Sequence, residues 1–204
     1  KDVMPYYIEP SGFILIRVLG GVFLFLIFYV FFINERVDKK DYFSFALCGL
    51  FGVAINQLFF FEGLNLTTPI NAAIIMTTNP ILVIVISAFL IGEKITPQKV
   101  LGIFFGIVGA GTLILNSGSI SFDNNFFIGN LLVFINATSY AIYLVLVKGL
   151  MKKYQPLTVM FFVFLFGLFF VFPFGYQQLQ MLVQAVDKYK YSLQTGLVSV
   201  MQMH

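Results

Sequence analysis

The 204-residue sequence predicts an all-α fold, a polytopic transmembrane bundle with about six helices present. Three observations predict it. The chain is 59% hydrophobic and only 10% charged, with a mean hydropathy of +0.94, whereas soluble domains carry about 25% charged residues. Apolar runs of about 20 residues recur along it, the length a helix needs to cross roughly 30 Å of hydrocarbon. Period-two alternation is absent, and only helices and closed barrels satisfy backbone polar groups in lipid.

The first span, 12–33, holds Arg17, the only basic residue inside any span. It is too long for a secretory signal and acidic residues precede it, so a further span is expected upstream of Lys1. The second, 43–63, places Gly49, Gly52, Asn56 and Gly63 on one face, which lets a neighbouring helix come close. Gln57 points about 100° away from Asn56. Glu62, at the outer end, reads as an interfacial carboxylate rather than a buried proton carrier. In the third span, 70–91, Asn71 and Thr78 share a face and Asn79–Pro80 follow. Pro80 lacks an N–H and clashes with the preceding turn, freeing a carbonyl near Met76, so a break or kink is expected there.

The fourth span, 99–116, carries Gly102, Gly106 and Gly109, a small-residue face expected to be a helix-packing seam without chemistry. The fifth, 126–147, puts Asn136, Tyr140 and Tyr143 on one stripe, beside Thr138 and Ser139. The sixth is 157–175. The tail from Tyr176 to His204 has three readings: a broken span, an interfacial segment, or the start of another helix.

Lysine and arginine set the orientation. Arg36, Lys39, Lys40, Lys94, Lys99, Lys148, Lys152 and Lys153 fall on one side; Lys1, Lys188 and Lys190 fall on the other. The loops 34–42, 92–99 and 148–156 are therefore expected in the cytoplasm. EPSGFILIRVLGGVFLFLIF aligns with QPLTVMFFVFLFGLFFVFPF, matching Pro10 to Pro156 and Gly21 to Gly167. An acidic stretch precedes the first and a basic one the second, as an inverted repeat predicts.

Cys48 is the only cysteine and His204, the last residue, the only histidine. That removes disulfides, histidine metal sites and Ser–His or Cys–His catalysis, so neither an enzyme nor a cofactor nor a metal is expected. No basic, aromatic-interleaved cluster points to nucleic acid. The residues that could line a polar cavity are Arg17, Asn56, Gln57, Asn79, Asn136 and Tyr140; Pro80, Gly102 and Gly106 are assigned to helix breaking and packing. Arg17 has two readings: it snorkels to the outer headgroups, or it faces the cavity and holds an anionic or carbonyl group.

FFFEGLNLTTPINAAIIMTTNPILVIVISAFLIGEKITPQKVLGIFFGIVGAGTLIL (59–115) and NATSYAIYLVLVKGLMKKYQPLTVM (136–160) resemble the EamA-like transporters of the drug/metabolite transporter superfamily. The resemblance rests on Asn71 to Ala73, Pro80, the run Gly92–Glu93–Lys94–Ile95–Thr96, and the glycines of the next span; Arg17 also falls where such proteins often carry an arginine. It implies ten helices in two inverted five-helix repeats. Residues 1–116 would then hold helices two to five and 117–204 helices six, seven and a partial eight, with the rest beyond both ends. It further implies a multi-pass bacterial inner (plasma) membrane protein that moves a small, amino-acid-like metabolite, as an exporter, by alternating access. Glu93 would cap and position its loop. The expected partners are the lipid bilayer, a small-molecule substrate and, as a candidate, a second copy in a homodimer. The alternative is a scaffold or partner subunit whose polar stripes only join helices, or an incomplete chain without activity.

Overall fold

The computed structural model describes residues 10–33, 35–117 and 124–201, and every regular element among them is helical. Helix α1 is Pro10–Phe32. A 3-10 turn at Lys39–Asp41 leads into α2 (Tyr42–Gly49), a π-helical stretch at Leu50–Ile55 and α3 (Asn56–Leu66), which together form one rod. The outer connection is then only Thr67–Thr68, shorter than the Glu62–Pro69 expected, and Glu62 stays on the helix. The stop signal is Pro69, which disfavours the helical conformation for the residue before it. Thr68 is extended and its hydroxyl accepts the Asn71 N–H, capping α4 (Pro69–Met76).

Helix α5 (Asn79–Ile91) is separated from α4 by the turn Thr77–Thr78, and Pro80 lies in its first turn. The Thr77 and Thr78 hydroxyls donate back to the carbonyls of Ile74 and Ile75, at 2.6 and 2.7 Å. Gly92 ends α5 at φ +63°, a left-handed geometry that costs glycine nothing. Thr96 accepts the Lys99 N–H at the start of α6 (Pro97–Ser117). Helix α7 is Asn124–Met151, and α8 runs unbroken from Pro156 to Met201. The tail begins no separate helix: α8 continues through Tyr176 as far as Met201; residues 202–204 lie outside the described residues. Polar composition decides where a helix leaves lipid, not where it ends. Five rods are long and apolar enough to cross a membrane: Pro10–Phe32, Lys39–Leu66, Pro69–Ile91, Phe126–Met151 and Pro156–Gln178.

The rod lies between α7 and α8. Helix α1 packs on α8, whereas α4 and α5 pack on α7. Ile14, Leu15, Val18, Phe45, Cys48 and Val163 form the heart of the apolar core, all at most 1% exposed. Between helices in lipid there is no hydrophobic drive, so close backbone approach matters more. A Cβ on Gly49 would sit 2.7 Å from the Gly167 nitrogen, and one on Gly52 would overlap the Tyr143 ring. The Gly102–Gly106 seam does not behave as expected. A Cβ on Gly102 would meet nothing within 4 Å, and among the described residues α6 has no substantial neighbour besides α5. A small-residue face permits close approach but does not summon a partner.

Helices α1 and α8 are antiparallel, and their contact repeats itself. Gly175 abuts Leu15, and Tyr29 stacks on Phe161 with ring centroids 4.9 Å apart. The Pro10-to-Pro156 offset of 146 residues carries Leu15 to Phe161 and Tyr29 to Gly175, so it exchanges these two contacts.

The lysine-rich loops meet at one end of the bundle. Lys153 pairs with Asp41 at 3.0 Å, and Tyr154 donates to Asp41 at 2.7 Å while accepting the Asp38 N–H. Glu35 accepts from the Thr158 hydroxyl and the Gln155 N–H, placing negative charge at the N-terminus of α8. Glu93 takes Lys99 at 3.1 Å and Lys148 at 3.4 Å. The Lys99 hydrogen bond, then the Lys148 charge, hold its carboxyl below the ordinary range.

Gly49→Ala, which drives a methyl into the α8 backbone, is expected to cost about 1–3 kcal/mol. Gly102→Ala, facing open space, should be neutral or stabilising by up to about 1 kcal/mol; thermal unfolding in detergent by circular dichroism measures both. Because the Glu93 carboxyl is shifted down in the folded state, its contribution is present above the ordinary carboxylate value and fades as pH falls through the folded one. Glu93→Gln should therefore lower the melting temperature near neutral pH, and the difference should shrink as the pH is taken below the ordinary carboxylate value.

Candidate functional site

Helix α7 packs against α3 and also against α4 and α5, so that a seam runs along α7. Its two ends are tied. At one, the Thr67 hydroxyl donates to the Asn130 carbonyl oxygen at 2.6 Å and itself accepts from the Asn71 amide. At the other, Glu93 holds Lys148. Helices α4 and α5 thus run in the same direction as α7. Asn79 falls about midway between the ties, and Asn136 to Tyr140 fall about midway along the facing stretch of α7.

Two side chains of α7 reach the backbone of the rod. The Asn136 amide nitrogen donates to the Asn56 carbonyl, and the Ser139 hydroxyl to the Phe51 carbonyl, both at 2.6 Å. The Phe51 carbonyl lies in the π-helical stretch and the Asn56 carbonyl just beyond it. Asn136 is 1% exposed. Since a carbonyl can only accept, the Asn136 nitrogen must face Asn56, which turns its oxygen the other way.

That oxygen is buried without a hydrogen-bond partner among the described residues, and so are the side-chain oxygens of Gln57 and Asn79. The Asn79 nitrogen has only the weakly accepting Met76 sulfur, at 3.9 Å. Leaving a buried acceptor unpaired costs about 1–3 kcal/mol, and here three occur on three adjoining helices. None of these amides carries a charge. Tyr140 is half-buried and its ring lies 6.0 Å from that of Tyr143.

Of the residues expected to line a cavity, Asn136 meets the Asn56 carbonyl directly, while Gln57 on α3 and Asn79 on α5 lie on helices that each pack against α7, the helix of Asn136 and Tyr140. Arg17 stands apart. Its side chain is exposed on α1, off the buried stripe of Ile14, Leu15 and Val18. Pro80 is exposed where α5 begins. Thr67 and Asn130 were not singled out by sequence reasoning; the Thr–Thr–Pro run, a helix-start signal, and a lone amide in FIGNLLVF were the available signs. The π-helical stretch had no sign beyond the glycines at 49 and 52.

Two cavities flank the seam without being lined by its three unpaired oxygens. One of about 480 Å³ is bounded by Ser11, Leu58, Phe59, Glu62, Leu132 and Phe174. The other, of about 540 Å³, lies between α5 and α7 at the lysine-rich end.

The profile of the EamA-like transporter family matches residues 2–115 and 127–203. The uncharacterized transporter YyaM of Bacillus subtilis (strain 168) is 30% identical over 156 residues, covering 74% of this chain and 51% of that one. The aromatic amino acid exporter YddG of Ancylobacter novellus is 33% identical over 98 residues, 47% of this chain and 32% of that one. A solved crystal structure aligns at a TM-score of 0.62 over 81% of this chain and 59% of the other, at 21% identity, and so shares the fold. The chain spans about half the length of the curated relatives it matches.

Ser139→Ala removes the donor to the Phe51 carbonyl and leaves a buried acceptor unpaired. A loss of about 1–3 kcal/mol is expected, read as a lower unfolding midpoint in detergent.

Proposed function

The chain belongs to the EamA-like transporter family, and on that premise we propose that it is part of an inner-membrane exporter of small, amino-acid-like metabolites. The observation that carries this reading is the set of three buried, unpaired amide oxygens of Gln57, Asn79 and Asn136. Acceptors without donors suit a ligand that brings its own N–H groups, and a free α-ammonium brings three. The neighbouring Tyr140 and Tyr143 rings offer an apolar, aromatic surface for a side chain. The similarity to an aromatic amino acid exporter supports the same substrate class and direction. A bilayer-spanning protein of this kind moves its substrate by exposing the seam alternately to the two sides.

The reading includes two inverted repeats, residues 1–116 and 117–204. The exchange of the Leu15–Gly175 and Tyr29–Phe161 contacts under one offset supports it. The break at Thr77–Thr78, beside Asn79, supports the placing of the substrate contact, because interrupted helices recur at transport sites.

A split between stability and flux tests the proposal. Gln57→Leu and Asn79→Leu each remove an unpaired acceptor, which is neutral or stabilising for the fold. If those oxygens hold a substrate ammonium, flux of labelled phenylalanine or tyrosine in reconstituted liposomes should fall about ten- to a hundredfold, the equivalent of one charge-assisted hydrogen bond. Unchanged flux in both variants, with wild-type melting temperatures, would remove the seam as the substrate contact.

A further inference from the structure

The cavity of about 540 Å³ at the lysine-rich end has a composition that the transport reading does not use. Its walls are apolar, supplied by Leu90 and Ile91 of α5 and by Val145 and Leu146 of α7, and its rim carries Lys148 and Lys152 with Glu93. Leu90 and Ile91 are about half exposed, at 53% and 51%, so the cleft opens sideways onto the surface that faces lipid. The rim charge is unbalanced. Glu93 is shared between Lys99 and Lys148, and Lys152 has no carboxylate in ion-pair range among the described residues. Three lysines thus stand against one glutamate.

We infer that this cleft is a binding site for an acidic phospholipid. The headgroup phosphate sits between Lys148 and Lys152, and an acyl chain lies in the groove of Leu90, Ile91, Val145 and Leu146. Basic pockets between transmembrane helices on the cytoplasmic side take anionic headgroups by this combination of charge and depth. A soluble anion would use only the lysines, whereas a lipid uses both the lysines and the apolar groove that adjoins them. The occupant would bridge α5 and α7 just beyond the Glu93–Lys148 pair, so it would join the two helices that flank the seam. The inference stands apart from what the seam carries.

The test compares phosphatidylglycerol with phosphatidylcholine of identical acyl chains, offered to the intact chain in mixed micelles and read by native mass spectrometry. Phosphatidylglycerol should be retained preferentially. Each lysine replaced should weaken that preference about fivefold, so Lys152→Gln reduces it and Lys148→Gln with Lys152→Gln abolishes it. Lys39→Gln with Lys40→Gln, exposed at the same end but outside the cleft, should leave it intact. Circular dichroism confirms that each variant is folded, and the single Lys152→Gln variant suffices if the double one is not. Equal retention of the two lipids by the unmodified chain would overturn the proposal. So would full retention by the Lys152 and double variants, or an equal loss in the Lys39/Lys40 control, which would reduce the effect to general surface charge. Displacement of phosphatidylglycerol by millimolar inorganic phosphate would likewise replace the lipid site by a simple anion site.

Discussion

The fit of the Lys39–Leu66 rod between α7 and α8 governs the rest of the bundle. In hydrocarbon, helices gain nothing by hiding apolar side chains from one another, so association falls to close packing and a few buried hydrogen bonds. The rod uses both. Gly49 lies against the α8 backbone at Gly167, Gly52 lies under the Tyr143 ring, and the Asn56 and Phe51 carbonyls take donors from Asn136 and Ser139. With α7 fixed in this way, α4 and α5 follow along its other side; with α8 fixed, α1 follows. The seam of unpaired oxygens exists because the same helix, α7, faces the rod with one edge and α5 with another.

Polar ties join the helices at both ends. At the lysine-rich end Glu35, Asp41 and Glu93 stitch three loops together through Thr158, Lys153, Tyr154, Lys99 and Lys148. Their effect is on registry: they fix which helix ends are neighbours. At the opposite end the described tie is the Thr67–Asn130 hydrogen bond with its Asn71 partner.

Fold class was legible because it follows from solvent. A chain this apolar, with runs of this length, has no other way to satisfy its backbone. Boundaries were legible where a residue enforces them, as Pro69, Gly92 and Pro156 do, and drifted where only polarity was available, as around Glu62 and after Tyr176. The candidate residues show a similar division. Depth and polarity picked out Gln57, Asn79 and Asn136, and each carries a buried side-chain oxygen without a hydrogen-bond partner among the described residues. The same criteria picked out Arg17 and the Gly102 face, which point away from the described bundle. A helix offers several faces, and which one meets a neighbour depends on partners far away in sequence. The π-helical stretch was not legible at all, since what it meets, the Tyr143 ring and donors 80 and 88 residues distant, lies far away in sequence.

The chemistry of the seam has an electrical consequence. Its named side chains are amides, a hydroxyl and phenols, uncharged at neutral pH. A unit charge carried across the bilayer exchanges about 2.3 kcal/mol with each 100 mV of membrane potential; a neutral amide that swings through the same distance exchanges almost none. The amides, hydroxyl and phenols at the middle of the seam therefore couple little to the membrane potential. The potential then acts on whatever charge the cargo brings, and a zwitterion brings none.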